Sequence, residues 1–133
     1  MKYTIDAKGK APGRIATEVA ILLMGKNRTD FARNKIPAIE VEVVDAKEMK
    51  LDIKKLKDKA YYHHSGYPGR LKKETMAHLV EKKGAKEVLR RAVYGMLPKN
   101  KLRARMMKNL KAKKMKRTRL YFHPLCRFNT SRL

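Results

Sequence analysis

Ile39-Glu40-Val41-Glu42-Val43-Val44 alternates apolar and acidic side chains with a period of two and is rich in β-branched residues, the pattern of a half-buried strand. What precedes it sets the topology. Residues 2–7 alternate modestly and end at Lys8-Gly9-Lys10. Pro12-Gly13 then opens a segment with Ile15, Val19, Leu22 and Leu23 at i, i+4, i+7 and i+8, which is one buried helical face. Pro12 suits a first helical turn, where its missing N–H is not needed, and Gly25 can take the left-handed conformation that ends a helix. The spacing predicts a helix over 13–24. Strand, helix and strand in that order make a right-handed βαβ unit with parallel strands.

Downstream the pattern is more charged. Residues 47–59 have room for a short strand at 50–53, and Ala60-Tyr61-Tyr62-His63 reads as another strand, stopped by Ser65-Gly66-Tyr67-Pro68-Gly69, where two glycines and a proline require a tight turn. Thr75 can cap a helix running to about 83, ended by Gly84. Ala85, Val88, Leu89, Ala92, Val93 and Met96 then repeat at helical spacing until Pro98 stops them. Asn100 is placed to cap a third helix with Leu102, Met106 and Leu110 on one face and Lys101, Arg103, Arg105, Lys108 and Lys111 around the rest. Leu120-Tyr121-Phe122 is a candidate last strand. Met76, Met96, Met106, Met107 and Met115 fall largely within these apolar patterns, where core packing accounts for most of them.

The charge is distributed unevenly. The chain carries 35 lysines and arginines against 12 acidic residues, a net +23, and residues 101–133 hold twelve of the basic residues and no acidic one. A domain with this much like charge repels itself, so neutralisation by nucleic-acid phosphate is the expected condition of its folded, soluble state. At 133 residues with 43% apolar content the chain can build one core, which excludes a disordered basic tail. No apolar run approaches the roughly 20 residues of a membrane span, and the start leads straight into a strand, unlike a signal peptide. The single Cys126 excludes an internal disulfide and paired-cysteine zinc sites, in keeping with a reducing, cytoplasmic setting.

Catalytic readings fail on geometry. His63 and His64 are adjacent, and neighbouring side chains on a strand point to opposite faces, so they cannot readily share a metal; no HExxH or CxxC partner exists. Ser65 sits among turn formers and lysines, with no base and orienting acid to activate it. Gly9-Lys10-Ala11-Pro12-Gly13 matches neither nucleotide-loop pattern. Glu40 and Glu42 share a strand face, the usual solvated side of an alternating strand. The glycine-proline turn is better read as a rigid platform presenting His64, Ser65 and Tyr67 for hydrogen bonding and stacking on RNA.

Two strings are the most specific, His64-Ser65-Gly66-Tyr67-Pro68-Gly69 and Gly95-Met96-Leu97-Pro98-Lys99-Asn100. With Gly13-Arg14-Ile15-Ala16-Thr17, Leu23-Met24-Gly25-Lys26, Lys59-Ala60-Tyr61-Tyr62 and Ala92-Val93-Tyr94 in the same order, the chain resembles the large-subunit ribosomal protein thirteen family in its bacterial form, over about residues 3–110. The resemblance implies an α/β fold: a three-layer α/β/α single domain around a mainly parallel four-stranded sheet, at 1–110, with a basic C-terminal extension at 111–133 packed on the same domain and on rRNA. It implies a structural constituent of the large ribosomal subunit that binds 23S-type rRNA and supports early subunit assembly and translation. No catalysis, cofactor, metal, membrane, small-molecule substrate or homo-oligomer is expected; the partners are large-subunit rRNA and neighbouring ribosomal proteins, in the cytoplasm.

Carried over by motif, the RNA-facing residues are His64, Ser65, Gly66, Tyr67 and Arg70, with Lys99, Asn100 and Arg103. The basic pattern adds Lys26, Arg28, Arg105, Lys108, Lys111, Lys113, Lys114, Lys116, Arg117 and His123. The chain departs from the family at Ile36-Pro37-Ala38, where a glycine-aspartate pair is usual, at Asp45-Ala46 for asparagine-alanine, and at 51–53, where threonine-glycine is usual. It departs again after His123-Pro124, where Leu125-Cys126-Arg127-Phe128 follows. Two rivals stand beside this reading. One is a free nucleic-acid-binding regulator such as a repressor of messenger translation, and the other is an RNA-modifying enzyme, for which the sequence offers no cofactor fingerprint.

Overall fold

In a computed structural model, which describes residues 1–112, the elements run β1 (Lys2–Asp6), α1 (Pro12–Met24), β2 (Glu40–Val44), α2 (Ile53–Asp58), β3 (Ala60–His64), β4 (Leu71–Thr75), α3 (Met76–Lys83), α4 (Ala85–Met96), α5 (Arg103–Lys108) and β5 (Leu110–Ala112). The alternating stretch is β2, with Val41 and Val43 buried and Glu40, Glu42 and Val44 half-buried on its other side. β1 lies parallel to it with Tyr3 opposite Val41 and Ile5 opposite Val43, so the apolar faces of the two strands coincide. The predicted βαβ unit is present. β5 adds in parallel on the far side of β2, giving the order β1-β2-β5.

This order explains where the helices lie. The chain steps from β1 to β2 to β5 in one direction, and right-handed crossovers taken in one direction return over the same sheet face. α1 and α4 accordingly pack on each other in one core: Ile15, Ala16, Val19, Ala20 and Leu23 of α1 close against Val41, Val43, Leu89 and Val93. Each large side chain taken fully out of water there stabilises the fold by about 1.5–3 kcal/mol. Pro12 opens α1 and Gly25 closes it at φ 74°, its N–H donating to the Leu22 carbonyl at 2.9 Å while that of Lys26 donates to Ile21 at 3.1 Å. Both ends follow the sequence reading.

A smaller cluster, Met76, Leu79 and Val88 with Leu56 and Tyr61 against it, fastens α2 and the β3–β4 hairpin to α3 and α4. Thr75 caps α3, its hydroxyl accepting the His78 N–H at 3.4 Å, and Gly84 separates α3 from α4 as expected. Asp45, which stands where the family usually has asparagine, sits at φ 53°. Asparagine and aspartate both tolerate that left-handed position, so the departure leaves the turn after β2 intact.

Several expectations are corrected. In place of one mainly parallel four-stranded sheet, the described residues form a three-stranded parallel sheet and a separate two-stranded antiparallel one. β3 pairs with β4, which lacks apolar alternation and owes its strand form to the turn that folds it back. The three layers reduce to two around the parallel sheet among the described residues: the face carrying Lys2, Thr4, Glu40 and Lys111 is polar and at least partly exposed. The expected strand at 50–53 is instead the entry to α2, because Asp52 accepts the Lys54 N–H at 3.3 Å and caps a helix there. The third helix stops at Lys108, and Leu110, placed on its apolar face by spacing, begins β5. The candidate strand 120–122 lies outside the described residues.

Candidate nucleic-acid interface

The glycine-proline turn is the tip of the β3–β4 hairpin. Its pairing runs from Ala60 opposite Thr75 to His64 opposite Leu71, and every residue from Ser65 to Arg70 is exposed. Gly66 and Gly69 hold φ of 90° and 73°, backbone that a side chain would strain. His64 Nδ1 accepts the Gly66 N–H at 3.0 Å, which fixes the ring and leaves Nε2 as the outward donor. The Arg70 guanidinium lies 5.7 Å from the Tyr67 ring centroid, and its backbone N–H donates to the Tyr67 carbonyl at 3.3 Å. The tip thus presents an imidazole, a phenol ring and a guanidinium together, and none of the three serves the core.

His63 and His64 occupy successive positions on β3 and face opposite sides, as the strand reading requires. Among the described residues no group of three or more histidines, cysteines, aspartates or glutamates is placed to hold a metal ion.

The second motif turns the chain from α4 into α5. Leu97 is buried and Lys99 is exposed; Asn100 Oδ1 accepts the Arg103 N–H at 3.1 Å in the turn before α5, but the N-cap position of α5 itself is Leu102 and not Asn100 as the spacing had it. Arg103 is committed to Tyr94: its guanidinium carbon lies 3.8 Å from the ring centroid and Nη2 donates to the phenol oxygen at 2.7 Å. Arg105 and Lys108 are exposed.

Lys111 is paired within the fold. Its ammonium donates to Glu40 at 2.9 Å across the β2–β5 pair. That hydrogen bond, then the charge itself, holds the Glu40 carboxyl below its ordinary value and Lys111 above its own. An ammonium so engaged is less available to phosphate than its sequence position suggests. Arg28 similarly approaches Asp30 at 3.9 Å, whereas Lys26 is exposed. Lys113, Lys114, Lys116, Arg117 and His123 lie outside the described residues.

Two of the sequence-predicted groups meet. A groove of about 390 Å³ is lined by Lys26, Phe31, Arg33 and Lys35 from the α1–β2 loop, by Pro98 and Asn100 from the second motif and by Met106 of α5. No hydrogen bond or ion pair among the described residues joins this groove to the hairpin tip.

Arg91 was not anticipated. It bonds Glu74 at 3.0 Å and lies 4.7 Å from the Tyr61 ring centroid, locking β3 and β4 to α4. Its hydrogen bond holds the Glu74 carboxyl below the usual range, while burial raises the Tyr61 phenol against the opposing charge of Arg91. The Glu87 to Arg91 spacing on α4 was the available signal, but the long-range partner was not legible. Phe31 was also missed, since a lone aromatic in a basic loop carries no periodicity.

Residues 1–117 match the family model described as Ribosomal protein L13. The chain belongs to the ribosomal protein L13 family. Similar proteins include the large ribosomal subunit protein uL13 of Syntrophus aciditrophicus, 47% identical over 109 residues, and those of Geobacter sulfurreducens and Clostridioides difficile, each 46% identical. Each alignment covers 82% of this chain and 76% of the relative. The L13 family is bacterial in these members, structural and non-enzymatic. No helix among the described residues is long and apolar enough to cross a membrane.

Proposed function

We propose that this chain is a structural constituent of the cytoplasmic large ribosomal subunit, one that binds 23S-type rRNA during early assembly and so supports translation. The observation that carries the reading is the hairpin tip. Its conformation is specified by two left-handed glycines and a histidine-to-backbone bond, yet none of its side chains packs into either apolar cluster of the fold. Selective recognition of RNA shape by stacking and hydrogen bonding is what such a rigid, exposed platform can do. Lys99, Arg105 and Lys108, with the charge of the 111–133 extension, supply phosphate contacts that set affinity and position. Neighbouring ribosomal proteins complete the environment, and the chain acts as a single copy.

The test is reconstitution of large subunits with His64→Ala combined with Tyr67→Ala, against Lys113→Ala combined with Lys114→Ala. The tip pair is expected to reduce incorporation more, because neighbouring charges in a basic run substitute for one another. The reverse order would overturn the role given to the tip. Release of the wild-type chain from large subunits by a high-salt wash would favour the free regulator instead.

A further inference from the structure

Phe31 is the exception in the basic loop between α1 and β2: a ring 41% exposed where the neighbouring side chains are charged or small. It lines both cavities that flank the loop, the groove of about 390 Å³ and a second of about 230 Å³. Lys26, Arg33 and Lys35 surround the larger groove, none of them in a salt bridge among the described residues, and no acidic residue lines it. The carboxylate of the smaller cavity, Asp30, is drawn toward Arg28 at 3.9 Å.

An exposed aromatic costs solvation, and three unpaired cations around it repel one another. A ligand that relieves both must be flat and apolar at its centre and anionic at its edge. A nucleotide unstacked from RNA meets that description: its base stacks on an aromatic face, and its phosphate takes the cations. The volume suits one small planar group, falling within the range of about 300–1,000 Å³ usual for ligand clefts. Asn100 closes the opposite wall. Its Oδ1 is occupied by the Arg103 N–H, so its amide group presents donors rather than a second acceptor. That favours a base edge rich in acceptors.

We infer that this groove captures a single splayed-out nucleotide of the bound rRNA, with its base stacked on Phe31, its base edge toward Asn100 and its phosphate among Lys26, Arg33 and Lys35. The inference rests on the rRNA-binding reading and adds a second recognition point, distinct from the hairpin tip.

The chain contains no tryptophan. Phe31→Trp therefore places a sole reporter in the groove, and its emission is read as full-length large-subunit rRNA transcript is added to the full chain. Stacking should quench it strongly, whereas inorganic polyphosphate, which offers charge without bases, should bind and leave it nearly unchanged. Phe31→Leu, which keeps the apolar contact and removes the stacking face, should weaken transcript binding by about 5- to 100-fold. Arg33→Ala with Lys35→Ala should lower the salt slope of binding by about 0.7–0.9 for each phosphate lost. Transcript binding with unchanged tryptophan emission would overturn the groove and leave the ribosomal role standing. Equal quenching by polyphosphate would overturn the stacking. Failure of the wild-type chain to bind the transcript at all would instead overturn the reading on which the inference rests.

Discussion

β2 and β3 are strands of equal length, five residues each, and they are put to opposite uses. In β2 every second side chain is fully buried against α1, so alternation in the sequence becomes burial in the fold. In β3 only Ala60 and Tyr61 are even partly covered; His63, His64 and Tyr62, the last 63% exposed, face solvent. The difference separates side chains that the fold requires from side chains that it leaves in solvent. A strand that buries half its residues is specified by hydrophobic patterning, whereas a hairpin that buries almost none is specified by its turn and by its anchor on α3 and α4.

That contrast can be broken by stability measurements made without RNA. Leu23→Ala, at a fully packed site between α1 and its neighbours, is expected to lower the unfolding free energy by about 2–5 kcal/mol, since the surrounding core cannot close the cavity. Tyr62→Ala, on the hairpin, should change it by no more than about 1 kcal/mol, the scale of a cross-strand pair. Urea denaturation of both variants decides the matter; comparable losses would mean that the hairpin belongs to the core after all.

A smaller effect is expected at Gly25, where the end of α1 meets the α1–β2 loop. An added Cβ would stand 3.1 Å from Pro37 Cγ, and the residue sits at φ 74°. Gly25→Ala should therefore cost about 1–2 kcal/mol for the left-handed conformation, with a further contribution if Pro37 cannot yield. The thermal midpoint of the variant measures it, and an unchanged midpoint would show that the loop relaxes freely.

The same contrast explains how much could be read in advance. α1, β2, α3, α4 and their ends were legible because apolar spacing, Pro12, Gly25, Thr75, Gly84 and Pro98 all act locally. β4 was not, because Leu71-Lys72-Lys73-Glu74-Thr75 has no burial pattern to betray a strand; its form comes from pairing with β3. The single four-stranded sheet, implied by the resemblance, is not what the described residues form, because β3 takes β4 as an antiparallel partner that its own sequence does not reveal. At the candidate site, the tight turn of the hairpin tip followed from its glycines and proline, whereas the helix after the second motif starts two residues later than Asn100 suggests, with Leu102 at its N-cap. The Arg91–Glu74 bond, the Arg103–Tyr94 stack and the meeting of Lys26 with Asn100 across a groove depend on tertiary packing, which spacing along the chain does not encode.

Lys111 and Lys108 offer the finest version of the comparison, two exposed lysines of the same basic stretch, one paired with Glu40 and one in no salt bridge among the described residues. Because Glu40 titrates below its ordinary value when folded, its contribution is complete above the unfolded carboxylate's pKa and is lost as pH falls through the folded one. Lys111 titrates above its ordinary value, so its contribution is complete below the unfolded lysine's pKa and is lost as pH rises through the folded one. The pair therefore ties β5 to β2 throughout the neutral range and loosens at both extremes. In Lys111→Met the Glu40 carboxyl, followed by carbon-13 NMR titration, should move up toward the usual carboxylate range, and the acid limb of the stability profile should flatten. Lys108→Met should leave both unchanged, yet it should lower the salt slope of rRNA binding by about 0.7–0.9, more than Lys111→Met does, because an exposed ammonium releases a full counterion when it meets phosphate. A larger slope change for Lys111→Met would show that RNA breaks the Glu40 pair and takes the ammonium for itself.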